Sequence, residues 1–300
     1  DRGRRGPRRL HRARVGVVTV SRVWEIEMTA RSPISHRGEL IGTTAIGRRM
    51  KIIQPDGSVE LVPVISGNSF RGVLRRIGEE LLRDVLDYEG KLPLAVAHTL
   101  RNGGAIVKTQ AEPITGRRLH QLRELVPQLS VFGGAVGAAP IDGCLRVGHV
   151  VPIVTEATPI LRREYPGPLP SRFDIEALES YSHLDDVTTG HAGTTVDPDA
   201  EIGGSGSPVM RYDIETLAPG SRFESWVQLV RGSDLDHAFA ADVLAEFTRS
   251  GWLGGRTGIG HGQIATTITD QAGGARVVDW REIVASRRSE ALETLLALPA

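Results

Sequence analysis

Ser66-Gly67-Asn68-Ser69-Phe70-Arg71-Gly72-Val73-Leu74-Arg75-Arg76 decides how this chain is read. A short polar turn containing glycine leads straight into Phe70, Val73, Leu74, Ile77, Leu81 and Val85, spaced three or four apart. That period predicts an amphipathic helix from Ser69 to about Asp87 with one face turned inward. Asn68 or Ser69 is the expected cap for its free amides. Arg71 falls in the first turn, where the helix dipole disfavours cations. Cations gathered there are accounted for if an anion such as phosphate joins them. A capped surface helix with solvated arginines accounts for them equally well.

Upstream, Lys51 to Val64 reads as a hairpin turned at Pro55-Asp56-Gly57. Arg31 to Met50 reads as a long loop, and Val15 to Thr29 as a first strand. Asp1 to Arg14 lacks periodicity and is expected to be a basic disordered arm over residues 1–15. Downstream, Arg117 to Leu129 is expected to be helical, Cys144 to Thr155 a strand, and Asp174 to Ser180 a short helix. His183 to Ser207, dominated by Gly, Asp, Thr and Ser, is expected to be a mobile excursion. Strands Val209 to Leu217 and Arg222 to Arg231 follow, then a helix Leu235 to Arg249, a strand Gln263 to Thr269 and a last helix Asp279 to Leu296. Strand–helix–strand early and again late predicts an α+β chain with a ferredoxin-like, split βαβ core.

Between the late helix and strand lies Gly254-Gly255-Arg256-Thr257-Gly258-Ile259-Gly260-His261-Gly262, with five glycines in nine residues. Glycines let backbone amides approach a ligand closely, and they also serve a plain tight turn. Dinucleotide and Walker A loops run strand, glycine loop, helix. Here the order is reversed, and the chain has no lysine after Lys108.

Formal charge is zero, with 36 Lys and Arg against 36 Asp and Glu, but it is unevenly spread. Residues 1–22 carry eight arginines and one aspartate; residues 31–123 carry fifteen basic against nine acidic residues. Residues 174–215 carry ten acidic residues and only Arg211. A basic half attracts nucleic acid through phosphate contacts that hold little sequence information. The single cysteine, Cys144, excludes an internal disulfide and a cysteine zinc cluster, which favours a cytoplasmic protein. No run of 18 apolar residues is present, so no membrane association is expected.

Four stretches in order resemble the RAMP-superfamily backbone subunits of CRISPR effector complexes, the seventh Cas family. Ile65 to Arg75 resembles the element that opens the family's first palm helix, and Gly254 to Gly262 its C-terminal glycine-rich loop. Val131-Phe132-Gly133-Gly134 and the run Tyr212 to Phe223 are similar to two further family segments. Ser32 to Glu39 with Gly42-Thr43-Thr44, Arg48-Arg49 and Pro63 to Asn68 resembles the type IV branch. The resemblance spans roughly residues 18–270 and implies a ferredoxin-like (RRM-like) palm with an inserted fingers region and a thumb hairpin, within one domain over 16–300. By position the thumb tip is 183–207, and its acidity departs from a surface that touches nucleic acid.

The resemblance implies a non-catalytic RNA-binding subunit that polymerises head-to-tail along a CRISPR guide RNA beside other effector subunits. Target nucleic acid is then recognised by pairing with the guide. The RNA-binding candidates are Ser66, Gly67, Asn68, Ser69, Arg71 and Arg75, with Gly254, Gly255, Arg256, Thr257, Gly258, Gly260 and His261 from the glycine loop. His36, Arg37, Arg48, Arg49 and Lys51 are further candidates. Type III relatives carry a cleavage aspartate in the loop after the first strand; here no aspartate occurs between Arg14 and Gln54. No cofactor, metal or catalytic residue is expected. Two alternatives stay open: a metal-dependent endoribonuclease using the His36–Glu39 loop, and a small nucleotide-binding enzyme using the glycine loop. His183, Asp185, Asp186 and His191 offer metal-ligating atoms, but nothing in the sequence fixes them on one face. Of the four tryptophans only Trp252, beside the glycine loop, is a candidate for stacking on a base.

Overall fold

β1 (Arg22–Ala30) alternates between Trp24, Ile26, Met28 and Ala30, all buried, and Glu25, Glu27 and Thr29 on the other face. This alternation makes it a half-buried central strand. The structure, a computed structural model, describes residues 21–106, 113–136, 139–184, 209–271 and 278–298. Beyond β1 the chain forms β2 (Arg37–Ile41), β3 (Thr44–Gly47), β4 (Arg49–Ile53) and β5 (Val59–Pro63), then α1 (Gly67–Leu86). Next come α2 (Leu94–Asn102), α3 (Gly116–Leu125), α4 (Pro127–Phe132), β6 (Gly134–Val136) and β7 (Ala139–Ile141). β8 (Leu145–Val147) and β9 (Val151–Pro152) lead to α5 (Arg172–Ile175) and the long hairpin β10 (Glu176–Leu184) and β11 (Val209–Leu217). β12 (Arg222–Leu229), α6 (Asp234–Ser250), β13 (Ile264–Asp270), α7 (Trp280–Ser286) and α8 (Arg288–Leu296) complete it.

The central sheet runs β13-β1-β12-β8, every pair antiparallel, with β9 also on β12. Taken in chain order these are its fourth, first, third and second strands, with α1 after the first and α6 after the third. That is the ferredoxin-like arrangement expected from the two strand–helix–strand units. α1 and α6 pack together, Phe70 against Phe247 at 5.1 Å between ring centroids. Trp280 of α7 meets Phe239 of α6 edge-on at 4.9 Å, and its indole N–H donates to Asp242 at 2.7 Å.

Several boundaries differ from expectation. The helix stripe is Phe70, Leu74, Ile77, Leu82 and Leu86, so its second half is rotated by one residue from Leu81 and Val85. Gly78 lies on this line, and a Cβ there would meet Phe132 and Phe239 at 3.1 Å, which lets α4 and α6 close on α1. Arg31 to Met50 is not one loop: β2 and β3 form a hairpin, and β3 pairs in parallel with β11. Glu176 to Ser180 is strand, not helix; after the capping box of Ser171 and Asp174 the chain enters β10, in register with β11 from Glu176↔Leu217 to Leu184↔Val209. Pairing with a distant segment overrode local helix propensity. The expected strand at Cys144 to Thr155 is two short strands, and the last helix breaks at Arg287. Residues 1–15 and most of 183–207 lie outside the described residues.

Candidate nucleic-acid interface

Ser66 sits in extended backbone before α1, and its Oγ accepts from the Ser69 amide at 3.1 Å, so the cap is Ser66 and not Asn68 or Ser69. Two imidazoles occupy the adjacent amides. The Ser66 N–H donates to His36 Nε2 at 3.1 Å, and the Gly67 N–H donates to His149 Nδ1 at 3.1 Å. Burial first, then the positive charge of Arg48, lowers the His36 pKa. A neutral ring is what an acceptor nitrogen requires.

Residues 31–36, just past β1, tie this helix start to the glycine loop. Gly255 donates to Ser35 O at 2.8 Å, Gly262 to Pro33 O at 2.8 Å, and Gln263 to Ser32 Oγ at 2.9 Å. A Cβ on Gly254, whose φ is +91°, would fall 2.7 Å from Ser35 O, so glycine is needed for this close approach. On the other side His36 O accepts from Arg48 N at 3.0 Å, and Arg48 O accepts from Val64 N at 2.9 Å. The Ser35–Arg37 stretch, the α1 N-terminus and the glycine loop, far apart in sequence, therefore meet at one place.

Arg256 adopts a left-handed conformation (φ 61°, ψ 32°) and is followed by the 3-10 turn Thr257–Ile259. A left-handed residue followed by a right-handed one turns three consecutive amides to one side, an anion-binding nest. Those amides belong to Arg256, Thr257 and Gly258, and among the described residues none of them donates to a backbone acceptor. Residues 255–260 are exposed. His261 is buried instead: its Nε2 lies 2.6 Å from the Tyr181 hydroxyl and 3.1 Å from Glu179. Trp252 is 38% exposed, while Trp24 and Trp280 are core residues.

Arg71 and Arg75 are engaged within the protein. Arg71 donates to Leu145 O at 2.5 Å and to Phe132 O at 2.8 Å. Arg75 is buried and donates to Gly133 O at 3.0 Å, to Thr99 O at 3.4 Å and to Phe132 O. Both guanidiniums also stand over the Phe132 ring. They bind the Phe132-Gly133 turn to α1. Arg49 is likewise committed, to Glu176 at 2.9 Å and to Glu215. Arg37, Arg48 and Lys51 are exposed, and among the described residues they and Arg256 form no ion pair.

A groove of about 590 Å³ opens beside the α1 N-terminus, lined by Asn68, Arg71, Phe132, Asp142, Arg146 and His149. His149 carries no signal in the sequence, because a lone histidine in the link between two short strands has no spacing that marks it. Tyr181 and Tyr212 were equally hidden, since only the hairpin register pairs them. No cluster of three or more metal-ligating side chains occurs among the described residues. Of the metal-site residues suggested by sequence, Asp185, Asp186, His191 and the His183 side chain lie outside them. No helix among the described residues is long and apolar enough to cross a membrane.

The family model of the RAMP superfamily matches residues 28–265. Among solved structures, a chain in one titled "Type IV-B CRISPR Complex" matches with a TM-score of 0.63 at 32% sequence identity, covering 86% of this chain and 96% of that one. No curated protein matches the chain.

Proposed function

The chain belongs to the RAMP superfamily, and from that premise we propose that it is a non-catalytic, RNA-binding backbone subunit of a type IV-like CRISPR effector complex. Copies array head-to-tail along the guide RNA, a heterologous contact that builds open helical assemblies. The guide is held by its backbone, so pairing with it recognises the target. The observation that carries this reading is the junction at residues 35–37, where an exposed amide nest and unpaired cations lie side by side. Amides and arginines in that setting grip phosphates without reading bases.

Within this reading the phosphate contacts fall to Arg256, Thr257 and Gly258, with Arg37, Arg48, Lys51 and Asn68. Ser66, Ser69, Arg71, Arg75, Arg49 and His261 hold the frame. The non-catalytic reading is supported by His36, whose Nε2 lone pair is taken by the Ser66 amide. A general base needs that lone pair free.

The test is purification without nuclease, read by absorbance at 260 and 280 nm and by negative-stain microscopy. Helical particles carrying protected RNA are expected, and Arg256→Ala weakens them. A nucleic-acid-free monomer that stays monomeric when RNA is added overturns the proposal.

A further inference from the structure

Midway along the described part of the long hairpin, Tyr181 and Tyr212 are direct cross-strand partners, their rings 5.6 Å apart and inclined by 18°. Arg256 reaches over from the glycine loop and lays its guanidinium 5.2 Å above the Tyr212 ring. Two features separate this from ordinary hairpin packing. Tyr181 is fixed at its hydroxyl, which donates to Glu179 and lies 2.6 Å from His261 Nε2. Its pKa is raised to about 12 by burial first and then by Glu179, so the hydroxyl stays a neutral donor. Arg256 holds a left-handed backbone in a loop otherwise supplied with glycine, where a side chain costs roughly 1 kcal/mol. It is exposed and, among the described residues, has no carboxylate partner.

We propose that Arg256 and Tyr212, backed by Tyr181, form a stacking platform for one nucleobase of single-stranded RNA. A base resting on the outward face of the guanidinium completes a base–arginine–tyrosine stack. Its phosphate lies at the nest formed by the amides of Arg256, Thr257 and Gly258. A planar cation on an aromatic ring favours such stacking, and every base has a face to offer, so the platform grips without sequence choice. The inference rests on the RNA-binding reading above and adds to it a base contact where that reading supplies only phosphate contacts.

Full-length protein is titrated with oligoadenylate RNA and with a base-free ribose-phosphate oligomer of equal length, followed by fluorescence anisotropy. Tyr212→Leu is expected to weaken oligoadenylate binding about 5- to 100-fold and to leave the base-free oligomer unaffected, and Arg256→Lys to weaken oligoadenylate binding more than binding of the base-free oligomer. Tyr212→Phe restores wild-type binding. Arg256→Lys keeps the charge at a surface position, so it remains informative if Tyr212→Leu loosens the hairpin. Equal losses on both oligomers, or none on either, overturn the platform while leaving phosphate binding in place. Wild-type protein that binds neither oligomer overturns the RNA-binding reading, and the platform falls with it.

Discussion

Arg75→Met is expected to destabilise the fold while sparing RNA affinity, although sequence alone makes Arg75 a phosphate ligand. The magnitude follows from its partners. Phe132 O keeps a donor in Arg71, and Thr99 O keeps the Gly103 amide, so Gly133 O is the carbonyl that loses its Arg75 donor at 3.0 Å with no such replacement. An orphaned buried carbonyl costs about 1–3 kcal/mol, and each lost charge-assisted bond about 1.5–3 kcal/mol. Against this, burial first and then the charge of Arg71 lower the Arg75 pKa from 12.5 to about 10, so holding the charge here is itself unfavourable by roughly 3 kcal/mol, which methionine recovers. The balance is a loss of at least about 2 kcal/mol for methionine, and a larger one for alanine, which adds a cavity. Urea denaturation followed by circular dichroism measures the loss, and anisotropy with single-stranded RNA measures binding by the folded protein. A variant of unchanged stability whose RNA affinity falls about tenfold, or about 1.4 kcal/mol, would refute the reasoning and return Arg75 to the interface.

Other substitutions test the frame piece by piece. Gly262→Ala places a Cβ 2.2 Å from Leu253 O at a φ of +89° and should cost about 3 kcal/mol. Gly258→Ala meets nothing within 4 Å and should leave thermal stability within about 0.5 kcal/mol. His36→Gln offers an acceptor to the Ser66 amide and does not titrate. Because the folded His36 pKa lies below the unfolded 6.5, its contribution is complete above pH 6.5 and lost as pH falls through the folded value. The variant should therefore flatten the fall of melting temperature with acid; only part of the slope goes, because His237 is lowered in the same direction by burial. An unchanged slope would rule out the contribution of the neutral His36 acceptor. Burial pushes the Glu215 carboxyl up, but the Arg49 and Gly47 hydrogen bonds outweigh it and leave its pKa below 4.5. Glu215→Gln should free the hairpin from the β3–β4 corner, seen as faster amide exchange in β11; the wild-type contact itself is lost as pH falls through that lowered value.

The palm was legible because its elements declare themselves locally. α1 and α6 carry apolar stripes at helical spacing, and β11 and β12 alternate between turn residues. What failed to show depends on contacts distant in sequence. All five residues of β2 are exposed, so it has no buried face to make a pattern, and its neighbour β3 finds its other partner in β11. The motifs carrying the site were visible, but the division of labour within them was not. Arg71 and Arg256 look equivalent in the sequence. One lies under Leu145 and Phe132, and the other stands in solvent over Tyr212. Only the packing of α4 against α1 makes that difference.

The acidic stretch 174–215 follows the same logic. Five of its ten acidic residues lie among the described residues, and each has a partner inside the chain. Asp174 caps α5, Glu176 and Glu215 hold Arg49, Glu179 takes the Tyr181 hydroxyl, and Asp213 takes Ser180. These carboxylates build the hairpin stem, and in doing so they withdraw Arg49 from the surface. Among the described residues, Arg37, Arg48, Lys51 and Arg256 are exposed cations with no ion pair. If those four meet phosphates, the logarithm of RNA affinity per subunit should fall with the logarithm of salt at a slope of about −3, near −0.7 for each contact on single strands. Arg48→Ala should reduce that slope by about 0.7, whereas Arg49→Ala should leave it and lower stability instead. A slope near zero would mean that the unpaired cations face solvent in the complex, and that the grip on the guide lies elsewhere on the molecule.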